Sequence, residues 1–267
     1  MSEFAPVIIV SSLNGSNGFR LDGDAINDLS GRVTAGGGDV NGDGFADLLI
    51  GAPYSDTGGS NRGLAWVVFG AASALAAQGL AARVAAGSAY RFQGEAAGDQ
   101  AGYAIGNAGD VNGDGFDDLI IGARYADPDA AGGDRGASYL VFGGAALLEA
   151  LDAADGTNDN LIGLATLAPA TGFRFDGGAD NDQSGFSVSG AGDVNGDGIA
   201  DLLIGAPYAD PNSGAANGRE GASYIVFGGA NLADLDDDDG SADGRIDLAQ
   251  ISPGQGLRLD GAMGLGI

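Results

Sequence analysis

The amino-acid sequence predicts an all-β protein, made of about three β-propeller blades of four short strands each. Three observations predict it. A nine-residue acidic loop is written three times: Asp39-Val-Asn-Gly-Asp-Gly-Phe-Ala-Asp47, Asp110-Val-Asn-Gly-Asp-Gly-Phe-Asp-Asp118 and Asp193-Val-Asn-Gly-Asp-Gly-Ile-Ala-Asp201. Short apolar runs flank every copy in the same order. The spacing is 71 residues from Asp39 to Asp110 and 83 from Asp110 to Asp193, room for four short strands and their turns.

Each strand follows from its residues. Twenty-one residues before each loop a hexamer begins: Gly18-Phe-Arg-Leu-Asp-Gly23, Ala89-Tyr-Arg-Phe-Gln-Gly94 and Gly172-Phe-Arg-Phe-Asp-Gly177. It alternates apolar and polar side chains, as a half-buried strand does. A fourth copy, Gly256-Leu-Arg-Leu-Asp-Gly261, stands near the end. A run of small residues follows, such as Gly185-Phe-Ser-Val-Ser-Gly190. After the loop come Leu48-Leu-Ile50, Leu119-Ile-Ile121 and Leu202-Leu-Ile204, apolar on both faces and suited to a strand covered on both sides. The last strand is Ala65–Phe69, Ala137–Phe142 or Ala222–Phe227, and Trp66 within it reads as core. The Ala/Leu-rich stretches Ala71–Ala86 and Ala145–Leu151 read as short helices on the blade edge. Counting from the hexamers gives a lead segment at 1–17, repeats at 18–88, 89–171 and 172–255, and the first strand of a truncated fourth repeat at 256–267.

Composition narrows the chemistry. The 267 residues carry a net charge of −26, yet 44% are apolar, enough for a core. Of 37 acids 33 are Asp, which prefers turns, and 52 residues are Gly. There is no Cys, His or Lys, and all 11 basic residues are Arg. This excludes His- and Cys-based nucleophilic catalysis, His zinc sites, Schiff bases and disulfides. The acidity argues against nucleic acid as a partner, since phosphates need a basic face. No stretch is long and apolar enough for membrane insertion, and residues 1–10 lack the basic region of a signal peptide.

Oxygen-bearing side chains at loop positions 1, 3, 5 and 9, with Gly at 6, have the spacing of a calcium loop, in which the carbonyl at position 7 also serves. Asn at position 3 lowers the ligand charge. Three divalent ions add six positive charges and leave −20, a solvated acidic surface. Loops of this kind suit a calcium-rich medium. The expected location is therefore extracellular or at the cell surface, with the chain exported as part of a longer protein.

With loop, strands and period in place, the chain resembles the FG-GAP repeat family, the repeats of integrin α-subunit propellers and of many bacterial surface proteins. "GAP" is literal in Gly51-Ala-Pro53 and Gly205-Ala-Pro207, and the middle copy reads Gly122-Ala-Arg124. "FG" is reduced to Ser30-Gly31, Ala101-Gly102 and Ser184-Gly185. The resemblance covers roughly residues 18–261. It implies four-stranded antiparallel blades with calcium on one face, held by the side chains of Asp39, Asn41, Asp43 and Asp47 with the Phe45 carbonyl. The second set is Asp110, Asn112, Asp114 and Asp118 with the Phe116 carbonyl. The third is Asp193, Asn195, Asp197 and Asp201 with the Ile199 carbonyl. The family's propellers carry more blades than this chain, which implies a partial propeller or one that self-association completes.

Other residues carry two readings each. Asp28, Asp99 and Asp182, eleven residues before each loop, either complete the metal shell or cap turns. Tyr54, Tyr125 and Tyr208, with Asp56, Asp127 and Asp210, either face a ligand or pack in the blade. Asp239, Ser241, Asp243, Arg245 and Asp247 repeat the 1, 3, 5, 7, 9 spacing and offer a fourth calcium site, without the Glu of an EF-hand. Asp155-Gly-Thr-Asn-Asp159 is a weaker copy.

The function expected is a calcium-stabilised structural or adhesive module of an exported surface protein, with a protein or glycan ligand and no enzymatic activity. The alternatives are a lectin-like binder using Thr57–Arg62, Pro128–Arg135 and Pro211–Arg219, or an accessory domain of a secreted hydrolase.

Overall fold

The computed structural model describes residues 13, 18–72, 78–128, 133–210, 219–236 and 240–261. Most of the lead segment, Asp239 of the fourth calcium site, part of the 71–86 stretch, the end after 261 and parts of the loops 128–135 and 211–219 lie outside them.

Among the described residues β1 (Leu21–Asp22) comes first, and three antiparallel sheets follow in succession. In the first, β2 (Val33–Gly38), β3 (Asp47–Ala52) and β4 (Leu64–Val68) form a meander. β5 (Gln78–Gly79) and α1 (Leu80–Ala85) follow, and β6 (Ala89–Gln93) returns to pair with β4. The second sheet has β7 (Ala104–Gly109), β8 (Asp118–Ala123) and β9 (Ala137–Val141). After α2 (Ala145–Asp152) and β10 (Leu161–Gly163), β11 (Gly172–Asp176) joins it. The third has β12 (Ser187–Gly192), β13 (Asp201–Ala206) and β14 (Ala222–Val226). It is completed, after α3 (Asn231–Asp236) and β15 (Arg245–Asp247), by β16 (Gly256–Asp260). Among the described residues these make three four-stranded blades, which do not close into a ring.

The hexamers correct the unit boundaries. Each is the last strand of the preceding sheet, not the first of the next: β6 pairs with β4, β11 with β9 and β16 with β14. The strand at 256–261 therefore finishes the third blade and does not begin a fourth. The repeats drawn at 18–88, 89–171 and 172–255 are offset from the sheets by one strand. The period is the same wherever counting starts, so periodicity alone could not fix the phase.

The strands are apolar because the sheets stack. Leu49, Val67 and Phe92 of the first sheet share a core with Leu119, Ile121 and Tyr139 of the second. Ile120, Leu140 and Phe175 meet Leu202, Ile204 and Tyr224 in the same way. Each such side chain contributes roughly 1.5–3 kcal/mol on burial, so the stacking between blades holds the arc together. The first strands β2, β7 and β12 lie side by side. Between neighbouring sheets the helices fill the remaining space, Leu148 and Leu151 of α2 in one core and Leu232 and Leu235 of α3 in the next. Of the stretches read as helical, 145–151 forms α2, whereas in 71–86 only Leu80–Ala85 is helix, Gln78–Gly79 is strand β5 and residues 73–77 lie outside those described. Trp66 is fully buried.

The short strands form clasps. β10 pairs in parallel with β6, and β15 with β11, so each helical excursion returns to the outer edge of the sheet before it. β1 and β5 repeat the arrangement at the start of the chain. The clasp covers an edge strand that would otherwise offer open hydrogen-bonding groups.

Candidate metal centre

Each acidic loop joins the first strand of a sheet to the second. All three leave the strand through the same irregularity, a register shift at Gly36/Gly38, Asn107/Gly109 and Gly190/Gly192, with Gly38, Gly109 and Gly192 at φ of 71°, 77° and 70°. Only Gly takes that conformation cheaply within a bulge. Within the first loop Gly42 and Gly44 also have positive φ, which turns the chain tightly around the Asp39 side chain.

The carboxylates organise the turn. Asp39 accepts from the backbone N–H groups of Asp43 and Gly44, both at 2.9 Å. Asp43 accepts from the Phe45 N–H at 2.9 Å and from the Asn41 amide at 3.0 Å. The same bonds recur around Asp110 and Asp114, and around Asp193 and Asp197. Position 5 is exposed in every loop, and among the described residues no ion pair involves a loop acid.

The ninth residue behaves differently. Asp47, Asp118 and Asp201 are buried. Asp118 accepts from the Val111 N–H through one oxygen and from the Gly143 N–H through the other, both at 2.8 Å. Asp47 does the same with Val40 and Gly70, and Asp201 with Val194 and Gly228. Burial pushes the Asp118 carboxyl up to about 7. The two N–H bonds oppose the rise, and the Asp114 and Asp110 charges add to it. Asp47 is also raised, first by burial. The ninth Asp thus ties the loop to the glycine after the third strand. Sequence reading missed that partner, although Phe-Gly recurs in step at 69–70, 142–143 and 227–228.

The loops also touch one another. The Asp39 and Val40 carbonyls accept from the N–H groups of Asp117 and Gly144 in the next blade, at 3.4 and 2.7 Å. Asp110 and Val111 accept in the same way from Ala200 and Gly229, at 3.1 and 2.7 Å. Asp117, a residue the spacing did not single out, accepts the Asp39 N–H at 2.8 Å.

The donor set fits a hard cation: carboxylates, one amide and a carbonyl on a tight loop without a counter-charge. Among the described residues no three acidic side chains converge into a metal-sized group.

The other candidates sit elsewhere. Asp28, Asp99 and Asp182 lie in the loops that precede the first strands, at the opposite end of the sheets, so they do not complete the metal shells. Asp99 and Asp182 cap turns through the Ala96 and Ala179 N–H groups. Asp56 and Asp127 hold the Asn61 and Gly133 N–H groups. Of the extra site, Asp243 holds the Arg245 N–H, and Asp247 caps the 3-10 turn Leu248–Gln250. Asp155 accepts from the N–H and hydroxyl of Thr157. At the end of the sheets that holds Asp99, Arg124, where the other copies have Pro, stacks on Tyr103 at 3.8 Å and on Tyr125 at 4.3 Å.

The FG-GAP repeat model matches residues 30–68, 101–141 and 184–226, in each case the FG position through the third strand of one sheet. The chain carries three FG-GAP repeats. Similar curated proteins include integrin alpha-PS2 of Drosophila melanogaster, 34% identical over 142 residues, 52% of this chain and 8% of that protein. Integrin alpha-IIb of Mus musculus is 30% identical over 170 residues, 63% of this chain and 14% of that protein. Integrin alpha-V of Gallus gallus is 33% identical over 118 residues, 44% and 10%. The FG-GAP chain thus spans 8 to 14% of the length of these relatives. No helix among its described residues is long and apolar enough to cross a membrane.

Proposed function

We propose that this FG-GAP chain is a structural and adhesive module whose blades are stabilised by calcium at the three acidic loops. The observation that carries the reading is the repetition of one loop geometry three times at the same end of three stacked sheets, with exposed carboxylates and no counter-cation. Asp39, Asn41, Asp43 and Asp47 with the Phe45 carbonyl would hold the first ion. The corresponding sets are Asp110, Asn112, Asp114 and Asp118 with Phe116, and Asp193, Asn195, Asp197 and Asp201 with Ile199. Bound Ca2+ supplies positive charge that offsets the mutual repulsion of these carboxylates. The residues themselves shape the loop and, through the ninth Asp, couple it to the end of the third strand. Because the loops of neighbouring blades are hydrogen-bonded in series, order in one loop supports the next.

Calcium is plentiful outside the cell, which fits a module of an exported surface protein with a protein or glycan partner. No catalytic role is proposed. A second reading, ligand binding at the opposite end, has one observation in its favour. An open depression of about 510 Å3 there is lined by Asp99, Tyr125, Asp127 and Asp134.

Thermal melts of the chain in millimolar calcium and in excess chelator test the proposal. Saturation at a hundredfold over Kd adds about 2.7 kcal/mol per site. At roughly 2–4 °C per kcal/mol for a chain of this size, three sites raise Tm by well over about 10 °C. Identical melts in both conditions would sink the calcium reading.

A further inference from the structure

We propose that two copies of this chain pair head to tail, the third sheet of one seating on the first sheet of the other. The two interfaces inside the chain repeat one set of contacts. At the first, the Phe116 ring lies over Gly42, where a Cβ would meet it at 2.3 Å, and Gly51 lies against the Gly102 carbonyl, where a Cβ would meet the oxygen at 2.2 Å. At the second, Ile199 lies over Gly113 at 3.1 Å and Gly122 against the Gly185 carbonyl at 2.1 Å. The carbonyls of loop positions 1 and 2 complete both interfaces.

Among the described residues the third sheet presents the same receiving features with no blade upon them. A Cβ on Gly196 would meet nothing within 4 Å, and the nearest atoms to one on Gly205 are those of Ser187 in its own sheet. Val194 is 48% exposed, whereas Val40 and Val111 are at 0%. Leu203 and Leu259 are 36% and 53% exposed, whereas their counterparts Ile120 and Phe175 are at 0%.

The first sheet presents the inserting features. Phe45, the counterpart of Phe116 and Ile199, is 40% exposed. Gly31, the counterpart of Gly102 and Gly185, has nothing within 4 Å of a would-be Cβ. A groove of about 550 Å3 lined by Leu21, Thr34, Leu48 and Ile50 runs along this face. The occupant follows from continuity. The exposed face extends an interface that the chain already forms twice, and the matching face is on the chain itself. A second copy therefore carries both halves, and the contact is heterologous, since the two surfaces differ. The incoming β16 takes the place on β5 that β1 now holds through two residue pairs. The strands are nearly the same, Gly256-Leu-Arg-Leu-Asp-Gly261 against Gly18-Phe-Arg-Leu-Asp-Gly23. None of this depends on whether the loops hold calcium.

The net charge of −26 opposes association, so the test is sedimentation equilibrium in about 0.5 M sodium chloride, where surface charges are largely screened. The wild type is expected to exceed monomer mass as its concentration rises. Leu259→Arg on the receiving face and Thr34→Arg on the inserting face, both at exposed positions, each raise the half-association concentration at least tenfold. An equimolar mixture of the two variants recovers a dimer, because one undamaged receiving face meets one undamaged inserting face. Circular dichroism confirms that both variants fold, with Leu257→Arg as the replacement if Leu259→Arg does not. A wild type that stays monomeric, variants that change nothing, or a mixture that stays monomeric would each overturn the proposal.

Discussion

Two kinds of aspartate share each loop, and their surroundings separate them. Asp43 is exposed and bonds only to its own loop, whereas Asp118 is buried with two backbone N–H partners. Asp118→Ala leaves two buried donors without acceptors and should cost about 2–4 kcal/mol in denaturant melts even in chelator. Asp43→Ala in the same buffer should cost under about 0.5 kcal/mol and should instead reduce the gain on adding calcium. Away from the loops, burial raises the Asp99 carboxyl to about 6, and the Ala96 N–H bond only partly offsets it. The folded state therefore holds this proton more tightly than the unfolded state. The cost of the ionised form is fully present above pH 6 and is relieved as pH falls through 6 towards 3.8. Acidification from pH 7.5 to 4.5 should stabilise the wild type relative to Asp99→Asn by at most about 3 kcal/mol. Equal shifts in both chains would show that Asp99 does not carry this effect.

At the scale of an element, the glycines of the FG and GAP positions explain each other. Gly102 and Gly185 belong to the connections entering the second and third sheets, and their carbonyls press on Gly51 and Gly122 of the preceding sheet. No side chain fits between those backbones. Gly122→Ala places its Cβ 2.1 Å from the Gly185 oxygen, so a strand and a loop must separate, at a cost of about 2–3 kcal/mol. Gly36→Ala, with nothing within 4 Å, is the control and should be near neutral. Equal melting points for the two variants would refute the close-approach account. The strands themselves were legible in the sequence, since alternation and apolar runs report burial directly. The phase of the hexamer was not, because β6, β11 and β16 are held by cross-strand hydrogen bonds to the strand before them, and such pairing leaves no mark on a period. The clasp strands β10 and β15 are three residues each, too short for a periodic signal. α3 was missed for a similar reason, its six residues including two Asp.

For the whole molecule, stacking converts three weak units into one body. The second sheet buries both faces on its neighbours and the first and third sheets one each, and the loops join in series along one end. Among the described residues the outer faces of the first and third sheets carry no neighbouring sheet, and Leu203, Leu257 and Leu259 of the third are exposed. None of this is visible in composition.

The sequence by itself determined the class of the fold, the number of blades, the position of every acidic loop and the residues that compose it. Those properties are local: turn glycines, short-range carboxylate bonds and strand burial are written within a few residues of one another. Tertiary structure decided which sheet each hexamer completes and which end of the sheets Asp28, Asp99 and Asp182 occupy. It also decided that the ninth Asp of each loop faces the glycine after the third strand. These depend on contacts between residues far apart in the chain, such as Asp118 with Gly143 and Asp39 with Asp117, and only the folded backbone brings those groups together.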